Sequence, residues 1–243
     1  MKMYAAIWIT ISLLLLPGLS WAAECGPVLF EETSFTVCKA DPANDDIRSF
    51  LNDQDGAPFG TFNNVEDALE GRKLVFAMNA GMYHPDRQPV GLYIEGGTEF
   101  APIVTREGPG NFGLLPNGVF CLLDQKAVVI ESRAFEANPL PCNYATQSGP
   151  MLVISGKLHP RFLEQSDSLN IRNGIGVTEE GWVIAAISDE RVNFHLFGRL
   201  FRDILKTPNA LFLDGKVSRL YAPGIGRHDL GLPMGPMLGV VGD

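Results

Sequence analysis

The sequence predicts an α+β fold, a single domain of mixed β-sheets with few helices. Three observations lead there. The 26 glycines and 17 prolines in 243 residues are high for a helical protein and supply many turns. Short β-branched or aromatic runs recur between those turns, while one segment alone carries a clear helical stripe. No linker, low-complexity tract or solenoid repeat divides residues 23–243. Apolar residues make up 46% and charged residues 19%, enough for a sizeable core and too apolar for disorder.

The first 22 residues stand apart from the fold. Lys2 is the only charge before Glu24, and a predominantly apolar run from Ala5 to Leu16 follows it. Pro17 and Gly18 then break any helix, and Ser20 and Ala22 put small residues at −3 and −1 of a cut after Ala22. This is the pattern of a secretory signal peptide over residues 1–22, and the run is short of the roughly 20 residues of a spanning helix. Glu24 precedes Cys25 where lipid attachment wants a small residue. The mature chain 23–243 is therefore expected to be periplasmic or secreted, with no stable membrane insertion after signal removal. Cys25, Cys38, Cys121 and Cys142 form an even set in an exported chain, and three disulfide connectivities are open. We prefer Cys25–Cys38 and Cys121–Cys142, which each close a short loop. The formal net charge of −9 argues against a nucleic-acid partner or an anionic membrane surface, since both favour a basic face.

Strands are predicted at Lys73–Met78, Val90–Glu95, Pro102–Thr105, Val119–Leu123, Ala127–Glu131, Met151–Ile154, Trp182–Ser188, Ala210–Leu213 and Val217–Tyr221. Two of them, around Leu74–Ala77 and Val183–Ile187, are apolar throughout, as strands buried on both faces are. An amphipathic helix is predicted over Asn193–Leu205, with Phe194, Phe197, Phe201, Ile204 and Leu205 on one stripe and Arg199, Arg202 and Asp203 outside it. A second helix is predicted over Asn64–Glu70, stopping at Gly71, and a short third over Arg161–Gln165.

Some motifs mislead. Gly108-Pro109-Gly110-Asn111-Phe112-Gly113 matches the dinucleotide fingerprint literally, but Pro109 spoils the row of backbone donors and no helix can open at Leu114-Leu115-Pro116. The four histidines are scattered, without metal-ligand spacing, and no Gly-x-Ser-x-Gly elbow is present. No cofactor and no metal are expected.

Four polar, glycine-bearing clusters punctuate the apolar strands: Asn79–His84, Gln147–Pro150, Ile171–Gly176 and Leu213–Ser218. Each alone reads as an ordinary turn. Together they place different functional side chains at strand ends beside glycines that let a ligand approach, which points to a common site.

In this order, the segments resemble the phosphodiester glycosidase family, and its compact bacterial secreted branch in particular. The family pattern is an Asn-Gly-rich turn, a Ser-Gly-Pro-x-Leu-Val segment, an Arg-x-x-x-Gly segment and a Leu-Asp-Gly-x-x-Ser turn. Here these stand at Asn79–Tyr83, Ser148–Val153, Arg172–Gly176 and Leu213–Ser218. Lys216 replaces the second glycine common after the aspartate, and Asn173 stands where Thr or Ala often follows the arginine. The resemblance implies a secreted hydrolase that cleaves a sugar's anomeric bond to a phosphodiester, in a small-molecule or polymeric glycan substrate.

That chemistry assigns roles. The departing phosphate monoester is an anion of low basicity, so it wants positive charge more than a proton, and Arg172 offers a permanent one. The sugar carbon gains oxocarbenium character, which the Asp214 carboxylate stabilises or attacks. Asp189 is the candidate second carboxylate. Asn79, Gly81, His84, Ser148, Gly149, Gly215 and Ser218 are the candidate substrate-binding positions. A non-catalytic secreted module binding glycan or cell-wall polymer through the same cleft is the other reading. A metal-dependent phosphodiesterase is disfavoured by the scattered histidines.

Overall fold

The computed structural model describes residues 23–243, so the leader expected over residues 1–22 lies outside the described residues. The described residues open with β1 (Glu24–Phe30), β2 (Thr33–Ala40), β3 (Asp46–Phe50), helix α1 (Phe62–Asp67) and β4 (Lys73–Asn79). Next come β5 (Tyr93–Glu95), β6 (Thr98–Ala101), β7 (Gly118–Leu122), β8 (Ala127–Glu131), helix α2 (Ser132–Ala137) and β9 (Tyr144–Ser148). Then follow β10 (Met151–Ile154), β11 (Lys157–Leu158), β12 (Asn173–Val177), β13 (Val183–Ser188) and helix α3 (Phe194–Arg199). The chain ends with β14 (Asn209–Asp214), β15 (Leu220–Ala222), β16 (Arg227–His228) and β17 (Met237–Gly242).

Among the described residues the strands form three sheets, ordered β1-β2-β13-β12-β14-β10-β11, β16-β15-β4-β17-β3 and β6-β5-β9-β7-β8. The α+β class with few helices holds. Neighbouring strands run antiparallel throughout, which refines the expectation of mixed sheets. Short turns join β1 to β2, β5 to β6, β7 to β8 and β12 to β13, and only antiparallel partners can be joined so tightly.

Side chains alternate along a strand, and here both faces find an apolar partner. Phe76 and Met78 of β4, Phe120 and Leu122 of β7, Ala185 and Ile187 of β13, and Leu211 and Leu213 of β14 meet in one core shared by all three sheets. The intervening residues face a helix. Ala186, Ala210 and Phe212 pack with Phe197, Leu200 and Phe201, Ala77 with Phe62 and Val65 of α1, and Val119 and Cys121 with Phe135 of α2; Leu74 joins the α1 side where the β4–β17 register shifts. This double burial is why the segments around Leu74–Ala77 and Val183–Ile187 read as apolar throughout.

Both expected disulfides form. Cys25 and Cys38 face each other in the β1–β2 register, with Cα atoms 4.0 Å apart. Cys121 of β7 joins Cys142 just before β9, with Cα atoms 5.5 Å apart. No cysteine is free among the described residues.

Some elements differ from the prediction. Pro102–Thr105 is not a strand: the strand is β6, just before it, and Pro102 has no N–H for a ladder. The Gln147 side chain stands in as its partner, accepting from the Val104 N–H at 2.9 Å and donating to the Val104 carbonyl at 2.6 Å. Arg161–Gln165 is a turn rather than a helix. The α1 helix starts earlier than predicted, because Thr61 caps it by accepting from the Asn64 N–H. Helix α3 passes into a π-helical turn at Leu200–Ile204, closed by the Leu205 N–H on the Leu200 carbonyl at 3.0 Å. The wider turn brings Leu200 into the core and leaves Ile204 45% exposed, off the predicted stripe. The segment 171–176 is mostly strand β12. Its glycines serve packing, since a Cβ on Gly174 would lie 2.9 Å from the Leu211 carbonyl oxygen.

Candidate functional site

The ends of β4, β9, β12 and β14 meet, so the four polar clusters converge although they span Asn79 to Ser218. At the centre is a buried pair of amides. Asn173 Nδ2 donates to the Asn79 carbonyl oxygen at 2.7 Å and to Asn79 Oδ1 at 3.1 Å. Asn173 Oδ1 accepts from the Asp214 N–H at 3.0 Å, and Asn79 Oδ1 accepts from the Arg219 N–H at 2.9 Å. The Ser218 hydroxyl lies 2.7 Å from the Asp214 carbonyl oxygen and 3.0 Å from that of Ile171, and Ser148 Oγ donates to the Leu213 carbonyl at 3.1 Å. Ser148 and Ser218 therefore spend their hydroxyls on the backbone around Asp214, and Asn79 spends its amide on the Asn173 side chain and the Arg219 N–H.

Asp214 ends β14 and is 9% exposed. Its Oδ1 accepts from the Gly215 and Lys216 N–H groups, at 2.5 and 2.8 Å. Burial pushes its carboxyl above the usual carboxylate range, against the backbone donors of Lys216, Gly215 and Val217 and the Lys216 charge, which pull it down. It lines a cleft of about 560 Å³ with Tyr83, Asn111, Phe112, Asn170, Gly215 and Lys216, and is the one acidic side chain in that lining among the described residues.

Arg172 is fully buried. Its Nε donates to the Val192 carbonyl at 2.8 Å and one terminal nitrogen to the Ser168 carbonyl at 2.7 Å. The other terminal nitrogen has no hydrogen-bond partner among the described residues. The guanidinium carbon lies 3.7 Å from the Phe194 ring centroid and 5.4 Å from that of Phe212, with no carboxylate among the described residues paired to it. Burial pulls its pKa down to about 10. A Cβ on Gly215 would stand 3.5 Å from the unpartnered nitrogen, so Gly215 is the layer between this cation and the cleft.

The remaining sequence candidates fall elsewhere. Gly81 is buried with φ 142°, and a Cβ there would meet Thr146 Oγ1 at 2.9 Å. A Cβ on Gly149 would meet Asn117 Cβ at 2.5 Å, so both glycines serve close packing. His84 is exposed, and its backbone closes the turn to Gln88. Asp189 pairs with Arg227 and accepts from Ser34 Oγ and Thr36 Oγ1. It lines a neighbouring depression that shares Lys216 and Val217 with the Asp214 cleft. Sequence reasoning passed over Tyr83, Asn170 and the 109–112 wall. The last lay inside the motif set aside as a false dinucleotide fingerprint, whose glycines did mark a loop beside a cleft. Among the described residues no three His, Cys, Asp or Glu side chains gather as metal ligands.

Three antiparallel sheets around a common core, with a cleft at the shared strand ends and, among the described residues, one buried carboxylate in its lining, define a β-rich protein of the α+β class. The chain belongs to the phosphodiester glycosidase family, whose sequence profile matches residues 72–231. It is 30% identical over 217 residues to the uncharacterized protein YigE of Escherichia coli (strain K12), covering 89% of this chain and 85% of that one. The fold is similar to that of the zebrafish N-acetylglucosamine-1-phosphodiester alpha-N-acetylglucosaminidase catalytic domain, a structure described as auto-inhibited by its pro-peptide. The TM-score is 0.64 at 16% identity, over 92% of this chain and 85% of that one. A protein from Synechocystis is similar at a TM-score of 0.57 and 13% identity, over 91% of this chain and 62% of its own. At these identities the two structures establish the fold.

Proposed function

We propose that the protein is a secreted hydrolase that cleaves the bond between a sugar's anomeric carbon and a phosphodiester. The observation that carries this reading is Asp214: a buried carboxylate, alone of its kind in the cleft lining among the described residues, held by backbone donors at the end of β14. In the reaction, the anomeric C–O bond breaks and its electron pair leaves with the phosphate monoester. Water supplies the new oxygen on the sugar and, in net terms, one proton. A phosphate monoester leaves without prior protonation, so one carboxylate suffices, stabilising or attacking the electron-poor carbon. Arg172, behind Gly215, contributes positive charge through a thin layer of backbone, where low dielectric strengthens its field. Asn79, Asn173, Ser148 and Ser218 act by positioning the Asp214 backbone rather than by contacting the sugar. Residues 1–22 are read as a leader removed after Ala22, which places the enzyme in the periplasm or outside the cell.

A panel of sugar-1-phosphodiesters, small and polymeric, incubated with and without chelator, tests the reading. Release of free reducing sugar and phosphate monoester from at least one is expected. Binding of such compounds without turnover of any would instead leave a glycan-binding module.

A further inference from the structure

Beside the Asp214 cleft lies the second depression, of about 590 Å³, which shares Lys216 and Val217 with it. Among the described residues two of its cations, Lys216 and Arg219, form no salt bridge, although the Lys216 charge acts on the nearby Asp214 carboxyl, whereas Arg227 is engaged by Asp189 and Asp229. Leu230 forms its lip and is 80% exposed. Leu232, on the same loop, is 71% exposed, and Ile225, on the turn before β16, is 44% exposed. Single exposed apolar residues are ordinary, but three large ones within eight residues beside a cleft are not.

The display is built rather than a loose tip. Arg219 donates to the Leu232 carbonyl oxygen at 2.6 Å. Gly231 lies directly on the Arg219 guanidinium, where a Cβ would clash with it. Asp229 is tied to the Leu220 backbone in both directions, by its own N–H on the Leu220 carbonyl and by its carboxylate on the Leu220 N–H. The loop is thus held over a cation while its leucines point outward, so their hydration cost is paid without a partner in the chain. Resting on the glycosidase reading, we propose that this depression receives the alcohol side of the substrate, and that the alcohol carries a hydrocarbon chain. Lys216 would meet phosphate oxygens, with the buried Arg219 charge close beneath the loop, and Leu230 and Leu232 would cover the first methylenes of the chain. A chain of net charge −9 is repelled by an anionic bilayer, so the loop suits an amphiphilic substrate better than a membrane surface.

The test compares binding of dodecyl phosphate, below its micelle concentration, with that of methyl phosphate by titration calorimetry. It uses the wild type, Lys216→Ala, and the double variant Leu230→Ser/Leu232→Ser, whose exposed positions leave the fold intact. The wild type should bind dodecyl phosphate at least about tenfold more tightly, as expected for several covered methylenes. The double variant should lose that preference, and Lys216→Ala should weaken both ligands. Equal affinity for the two phosphates, or a preference that survives the double substitution, overturns the proposal. Co-sedimentation of the wild type with phosphatidylglycerol vesicles without a dodecyl preference overturns it in favour of membrane docking. These readouts need no turnover. Failure of every sugar phosphodiester as a substrate sinks the glycosidase reading, while loss of the tail preference alone sinks only this inference.

Discussion

Asn173 holds Asp214 by its backbone: its Oδ1 accepts from the Asp214 N–H at 3.0 Å while its Nδ2 donates to the Asn79 carbonyl oxygen at 2.7 Å. The two residues are opposite each other in the β12–β14 register, and the ladder slips just after Asn173. Such an irregularity re-aims a strand end, and the amide fixes where it points. Asn173→Leu keeps the volume and removes both functions. It leaves buried groups unpaired at about 1–3 kcal/mol each, which should lower the urea midpoint. Displacing the carboxylate should also lower turnover by about 10²-fold. A folded Asn173→Leu protein with wild-type turnover would show that the amide has no positioning role.

Asp214 should oppose stability where it serves activity. Its folded-state pKa is raised above the unfolded value of 3.8 by burial. Its stability contribution is therefore complete below 3.8 and is lost as pH rises through the raised value. Asp214→Asn mimics the protonated form at every pH. Its melting temperature should equal or exceed that of the wild type at pH 7, and the gap should narrow toward acid. In the wild type, kcat/KM should climb over the same window as the carboxylate ionises. A gap that widens on acidification would contradict the assigned sign.

Arg172 and Asp214 should differ in kind when removed. Arg172→Ala should impair phosphodiester substrates more than an aryl glycoside of the same sugar, because that leaving group lacks the phosphate anion. It also empties a buried site and strands the Val192 and Ser168 carbonyls, so a stability loss of about 2–5 kcal/mol is expected. Arg172→Lys separates the two effects. It retains a cation but cannot reach both carbonyls with the geometry of the fork. Equal losses on both substrate types, in protein shown by melting curves to be folded, would remove Arg172 from leaving-group stabilisation.

Much of this architecture was legible in the residues. Strands such as β4 and β13, buried on both faces, announce themselves as apolar runs, and the disulfides followed from short loops. The hairpin β1–β2 was harder. Its burial alternates, and Thr, Ser and Lys on the half-exposed positions dilute the apolar signal. Arg172 and Asp214 drew notice as candidates because strand-end polar residues beside glycine stand out. What sequence could not tell is which way each polar atom points. Asn79, Ser148 and Ser218 read as ligand contacts but are turned onto backbone, and Gly81 and Gly149 read as room for a ligand but are filled by Thr146 and Asn117. Those distinctions depend on neighbours more than 60 residues away in several cases, such as the Ser148–Leu213 and Asn79–Asn173 pairs, whose separations are 65 and 94 residues.

The most direct measurement is turnover by purified Asp214→Asn protein on a sugar-1-phosphodiester that the wild type cleaves, with a melting curve on the same sample. The substitution keeps the side chain's size and its ability to accept from the Gly215 and Lys216 N–H groups, and it removes only the charge. The account predicts a folded protein whose kcat falls by about 10²-fold or more, equivalent to roughly 2.7 kcal/mol or more in the barrier. A folded Asp214→Asn protein with normal turnover would contradict it and take the carboxylate out of the chemistry.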